Sequence, residues 1–199
     1  MRIPFRRRPA STSSRAAARN ASRGVRQNRH AELFEYRVAP VQETCAALIA
    51  ERRYTEACEL YAKQASAARE LIKLEEGNGI PAALSMRPGL DMRLAWSLEQ
   101  ICLWTGEIGL LDEALRCNAE AVLIYRRLTA ADPWFGQFLA MGLLERANSL
   151  LELPDMVEAV KALDEAVEVI ETVTRQVPDI YQDNSDLVAL TRDRIAEAT

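Results

Sequence analysis

The chain has 199 residues, 49% of them hydrophobic but only 6% aromatic, and a formal net charge of −4. That length suits one domain with a tail or a short array of repeats, and eight Gly with eight Pro are too few for a fibrous or low-complexity chain. The charge is unevenly placed: residues 1–30 hold nine of the 25 basic residues, all Arg, and no acid, so a basic arm precedes an acidic body.

Residues 1–28 are mostly Arg, Ala, Ser and Asn, with Ile3, Phe5 and Val25 as the large apolar exceptions. Such a segment buries too little surface to offset the entropy of ordering it, so a disordered, solvated arm is expected. Clustered Arg also suits phosphate through counterion release, so the alternative reading of the arm is an electrostatic grip on nucleic acid or an acidic partner. Phe5 is its only aromatic for stacking on bases. No apolar run follows the Arg cluster, which argues against a secretory signal. Arg6-Arg7-Arg8 lacks the hydrophobic stretch of twin-Arg export. An acid-free, Arg- and Ser-rich start also matches the composition of an organelle transit peptide. No segment approaches the roughly 18 apolar residues that span a bilayer, so no membrane partner is expected and the cytoplasm is the expected location.

Residues 29–39 are predicted as a short helix with Leu33, Phe34 and Tyr36 available for packing, broken near Pro40. Val41–Arg53 and Tyr54–Lys73 read as a first hairpin. In its second half Tyr54, Ala57, Leu60, Tyr61, Ala65 and Ala68 recur at three- and four-residue steps, one apolar stripe on a helix. Residues 74–91 interrupt the pattern with Gly77-Asn78-Gly79, Pro81 and Pro88-Gly89. An insertion loop is expected there, with Ile80, Leu84, Met86 and Leu90 folding it back as a lid.

Asp91–Trp104 and Leu111–Ala131 form the second predicted hairpin, joined through Gly106 and Gly109. Asp132 caps the next helix and Pro133 fits its first position. Pro133–Leu153 and Asp155–Gln176 make the third hairpin, with Asp155 and Glu158 placed as a capping box. Ser185–Ala198 is predicted as a last amphipathic helix. Leu187, Leu190 and Ile195 point inward, and its polar outer face suits a terminal element.

Two of the hairpins are copies. A shift of 45 residues lays Leu94, Ala95 and Leu98 on Leu139, Ala140 and Leu143. The same shift lays Glu113-Ala114 on Glu158-Ala159, Glu120-Ala121-Val122 on Glu165-Ala166-Val167, and Pro133 on Pro178. Self-similarity at a fixed period marks stacked repeats, whose single units cannot bury their apolar face alone. The expected fold is all-α: stacked helical hairpins over residues 29–199 with a 74–91 insertion, behind the 1–28 arm.

Little in the chain suggests chemistry. His30 stands alone, outside the hairpins, and completes no triad or metal cluster. Cys45, Cys58, Cys102 and Cys117 make no C-x-x-C pair, and there is no Gly-rich phosphate loop. Cys45 and Cys102 share a place with Ala147, so they read as small packed hydrophobes, reduced in a cytoplasm. Glu113 and Glu158 recur with the repeat, as do Glu120 and Glu165, which favours a structural role over acid–base chemistry. No catalytic residue, cofactor or metal is expected.

Small residues 12 apart pair the two helices of each unit: Cys45 with Ala57, Cys102 with Ala114 and Ala147 with Ala159. Tyr54, Leu111 and Met156 stand three before the second node, and Val41, Leu98 and Leu143 four before the first. This pattern, over roughly 38–198, resembles the tetratricopeptide repeat, in the extended form of kinesin-light-chain-like arrays. The period of 45 exceeds the family's usual 34, and Asn118 and Arg146 stand where apolar residues are commoner.

The resemblance implies an α-α superhelix and a non-enzymatic protein-interaction module or scaffold. In the family, the inner face of each unit's first helix lines a groove for an extended or helical peptide. Carried over by position, that face comprises Gln42, Ala46 and Ile49, then Trp96, Glu99 and Leu103, then Met141, Leu144, Asn148 and Leu151. The partner-binding set it implies is Trp96, Glu99, Leu103, Met141, Leu144 and Asn148. A groove with a Trp and a Met suits an amphipathic peptide. The same residues could instead pack on one another or on the insertion, or join two copies of the chain. A nucleic-acid-associated adaptor, and a detached repeat region of a larger regulator, are the alternative readings.

Overall fold

The computed structural model describes residues 41–77, 85–153, 155–176 and 184–197. The arm 1–28, the short helix at 29–39, and Ile80 and Leu84 of the lid lie outside the described residues. Helices account for almost all of what is described, and no strand occurs among these residues. We label them α1 (41–50), α2 (Tyr54–Gly77), α3 (Arg87–Glu107), α4 (Leu111–Ala131), α5 (Gly136–Glu152), α6 (Met156–Gln176) and α7 (Asn184–Glu197). Each of α2 to α7 packs on its neighbours in the chain, while α5 also meets α3 and α7.

One backbone device makes the turn inside each hairpin. Leu110 N–H bonds back to Thr105 C=O at 2.8 Å, and Gly109 N–H to Gly106 C=O at 2.9 Å, with Gly109 at φ 80°. This is a Schellman turn, in which a left-handed residue lets the chain satisfy the last carbonyls of the helix. Arg53 N–H bonds to Leu48 C=O at 2.8 Å after α1, with Arg52 at φ 59° in the glycine's place. Asp155 N–H reaches Leu150 C=O at 3.0 Å after α5. All three turns share the six-residue bond, and the first two add the left-handed residue.

The small residues at the helix crossings are among the most deeply buried in the fold. Cys45, Ala57, Ala114, Ala147 and Ala159 are 0% exposed and Cys102 is 2% exposed. Cys45 Sγ lies 3.8 Å from Ala57 C=O, which places the first pair of nodes in direct contact. Helices that cross at Ala or Cys approach closely enough for the flanking Leu, Ile and Tyr side chains to interlock, and interiors packed this densely resist changes of even one methylene.

Outside the core, successive hairpins are tied by a repeated ion pair. Arg69 of α2 donates two bonds to Glu120 of α4, at 3.2 and 2.6 Å. Arg126 of α4 donates two to Glu165 of α6, at 2.8 and 2.6 Å. Glu113 and Glu158 are paired within their own helices, to Arg116 and to Lys161. All four recurring carboxylates are thus engaged in ion pairs.

The connection between the first two hairpins is shorter than the sequence pattern indicates. Helix α2 continues through Leu74–Gly77 and α3 starts at Arg87 rather than Asp91. Pro88 and Gly89 sit in the first turn of α3, where a missing N–H costs nothing. Glu75 supplies the cap from a distance: it accepts from Met86 N–H and from Ser85 Oγ, both at 2.8 Å. Met86 and Leu90 do pack onto the body, Leu90 as a buried residue.

Two helix starts follow their local signals. Asp132 accepts from Trp134 N–H at 3.0 Å, but the helix opens with a 3₁₀ turn at Pro133–Phe135 before α5 begins at Gly136. Asp155 accepts from Glu158 N–H at 3.3 Å and caps α6. The last helix corrects one of its expected inward residues, Leu190. Val188 and Thr191 are buried and Ile195 is half-buried against the core, whereas Leu190 is 58% exposed. The side chain of Leu187 lies outside the described residues. The inward stripe of α7 is Val188, Thr191 and Ile195, three and four residues apart, which leaves Leu190 about 100° round the helix from Thr191; Arg194 reaches back to α5.

Candidate functional site

The six carried-over residues fall on two helices that touch, α3 and α5. Trp96, Glu99 and Leu103 occupy one side of α3, three and four residues apart. Met141, Leu144 and Asn148 do the same on α5. Their surroundings differ sharply. Trp96, Leu103 and Met141 are half-buried and keep apolar surface in water. Leu144 is 1% exposed and belongs to the core, so it offers a partner no surface.

Trp96 is held in place from behind. Tyr61 of α2 meets it edge-on, with ring centroids 5.4 Å apart. Such T-shaped pairs favour the ring's positive edge over its neighbour's negative face. A second aromatic pair, Tyr54 stacked on Trp104 at 5.2 Å, fixes the other end of α3 against the start of α2. The indole, half-buried against the core and braced by Tyr61, is rigid, and a rigid side chain loses little entropy on binding.

The polar members are already engaged. Asn148 Oδ1 accepts from Arg194 Nη1 of α7 at 2.8 Å, and the same guanidinium reaches Glu152 at 2.8 Å. Glu99 Oε2 accepts from Tyr125 Oη of α4 at 3.0 Å. Burial holds Glu99 up at about 7, with the Tyr125 hydrogen bond pulling it down and the nearby Glu145 carboxylate pushing it up. Burial also raises Glu145, against the attraction of Arg194. Cys102, beneath this group on α3, is pushed up to about 12, first by burial and then by Glu145.

Tyr125, Glu145 and Arg194 are therefore part of the site, although sequence reasoning passed them over. Tyr125 stands where the other hairpins carry Ala68 and Ile170, so the repeat offered a signal: one large, polar-tipped side chain at a small or aliphatic position. A buried tyrosine hydroxyl needs a partner. Glu145 and Arg194 carried no such signal, because charged residues on a helix are ordinary.

Asn118 lies behind this face, fully buried, and its Nδ2 donates to Gly142 C=O at 2.8 Å, bridging α4 and α5. No group of three or more His, Cys, Asp and Glu could hold a metal ion among the described residues. No described helix is long and apolar enough to cross a membrane. Compared with protein-family models, curated proteins and solved structures, the chain matches none.

Proposed function

We propose that the chain is a tetratricopeptide-like interaction module that holds a protein or peptide segment on the face shared by α3 and α5. The observation that carries this reading is the row Trp96, Leu103 and Met141, half-buried on two touching helices whose small nodes are buried. A fold that places its small residues in the crossings and keeps a braced, half-buried tryptophan on this face has the makings of a binding face, and tryptophan is a frequent energetic centre of interfaces. The occupant is an amphipathic segment with an aliphatic or aromatic anchor. The module acts by holding its partner, without chemistry of its own, in a cytoplasmic setting or as one part of a larger regulator.

The test compares capture by the intact chain with capture by Trp96→Ala plus Met141→Ala, after both show equal helicity and equal melting. A defined partner lost by the double variant supports the reading. A partner retained at full strength ends it.

A second reading rests on the nine Arg within residues 1–30: an adaptor that grips nucleic acid through the arm and recruits a partner through the repeats. Retention on nucleic acid that falls with salt, and vanishes on removal of residues 1–28, is its signature. Self-association through the α3–α5 face is separated from both by sedimentation at two concentrations.

A further inference from the structure

The face shared by α3 and α5 changes from apolar to acidic along its length. Trp134, in the 3₁₀ turn that opens α5, is 43% exposed and leans on Phe138 with ring centroids 5.3 Å apart. Phe138, Met141 and Glu145 then follow at three- and four-residue steps, on one side of α5. Trp96 of α3 stands level with Met141, because each lies six residues before the node of its helix, Cys102 or Ala147. Glu145 is half-buried and forms no hydrogen bond or ion pair among the described residues, yet neither of its oxygens is sealed from water. Arg194 of α7 attracts it but bonds Asn148 and Glu152 instead. The recurring acids Glu113, Glu120, Glu158 and Glu165 each hold a cation. A charge drawn partly out of water is ordinarily paired, so Glu145 suits a cation brought by whatever covers the apolar shelf.

Granted the α3–α5 partner face, we propose that the chain covers it with its own residues 3–8, Ile3-Pro4-Phe5-Arg6-Arg7-Arg8. Phe5 seats on Trp96 and Met141, Ile3 on Phe138, and Arg7 pairs with Glu145.

Charge favours this occupant first. Residues 1–30 hold nine Arg and no acid, and the remaining chain has 25 − 9 = 16 bases against 29 acids, a balance of −13. The order of chemistry favours it next. The segment passes from apolar to basic as the face passes from apolar to acidic. Pro4 fixes its own φ in the extended range, and alternate residues of an extended chain point to one side, so Ile3, Phe5 and Arg7 share a side. Phe5 and Arg7 are then about 6–7 Å apart, and Met141 and Glu145, four residues apart on a helix, about 6 Å. The two spacings match.

Reach is no obstacle. Residues 9–40 separate the segment from α1, a tether that spans roughly 100 Å at full extension, against about 30 Å for the 21 residues of α3. A tethered segment meets its own face at an effective concentration on the order of millimolar, so a weak contact is enough to fill it. A partner for the face has to displace the segment, and anything that claims the arginines uncovers Trp96 and Met141.

The experiment follows the methionine methyl and tryptophan indole NMR signals of the full chain, with Met92, buried on α3, as internal control. Ile3→Ser with Phe5→Ser should move the Met141 and Trp96 signals several-fold more than the Met92 signal, because an aromatic ring leaves the face. Arg7→Ser should move them in the same direction by less, and should lose that effect in a Glu145→Gln chain, the coupling that a direct pair requires. Tenfold dilution should leave the wild-type signals unchanged, as for a contact within one chain. Met141 and Trp96 signals identical in the wild type and the Ile3→Ser, Phe5→Ser chain overturn the proposal. Wild-type signals that change on dilution assign the face to the arm of a second copy and overturn it as well. The arm substitutions precede α1 and leave the helices intact, so these outcomes decide even where Glu145→Gln does not fold. Failure here leaves the partner face standing, since capture that depends on Trp96 and Met141 is measured separately.

Discussion

Arg126 holds Glu165 through two hydrogen bonds across 39 residues of chain, and the contact repeats, position for position, the one Arg69 makes with Glu120 across 51. Each arginine stands 12 residues after its hairpin's second node, and each glutamate six after the next. The two contacts are rungs of one ladder between second helices. Both pairs are more than a third exposed, so each contributes modestly, roughly 0.3–1 kcal/mol. A double-mutant cycle on Arg126→Ala and Glu165→Ala should return a coupling in that range, and about 0.5 M salt should remove most of it.

Arg52 is the one described non-glycine residue in the left-handed region, at φ 59°, and it occupies the place Gly109 fills in the next hairpin. A side chain there costs about 1 kcal/mol, because its Cβ crowds the following carbonyl. Arg52→Gly should therefore raise the urea midpoint, and Gly109→Ala should lower it by a similar amount. Nothing lies within 4 Å of a Cβ built at Gly109, so the second effect is a backbone effect alone.

Gly136 starts α5 where it touches α6. A Cβ placed there would lie 2.3 Å from Val173 Cγ2. Valine is β-branched and stiff on a helix, so it does not swing aside. Gly136→Ala should destabilise the fold by about 1–3 kcal/mol. Adding Val173→Ala should return part of that loss, since it removes the atom in the way. Thermal melting of the two single variants and the double variant checks the non-additivity.

Three of the four thiols are buried, and Cys58 is half-buried. Burial raises all four, Cys102 to about 12 and Cys117 to about 11. Thiolate, not thiol, attacks disulfide reagents. Titration with an aromatic disulfide at pH 8 should give one slow reactive thiol, Cys58, and three that react only as the chain unfolds. Rapid reaction at two or more thiols in the folded chain would contradict this packing.

What the sequence makes legible is whatever depends on local chemistry repeated in register. The Cys and Ala nodes, the Asp132 and Asp155 caps and the turn at Gly106 and Gly109 are all of that kind. Leu190 of α7 is exposed because Thr191, a small polar residue that apolar patterning passes over, takes the inward place beside Val188 and Ile195. The start of α3 was misread because its cap, Glu75, comes from another helix. Within the candidate face, Trp96 and Met141 were visible through position alone. Leu144 carried the same credentials and is buried, because depth within a stack depends on the helix above it rather than on period. Asn118 broke the apolar pattern, and only the crossing of α4 and α5 reveals the Gly142 carbonyl it bonds.

The ladder keeps its geometry although its two rungs span chain lengths that differ by 12 residues. Five of those residues lie in the connection between α2 and α3, and the other seven lengthen the end of α2 and the start of α3. The stack is therefore indifferent to how much polypeptide joins those helices, provided that Glu75 still receives Ser85 and Met86. This junction is a natural place to open the chain: to graft a guest domain, or to join the old termini by a linker and begin the protein anew.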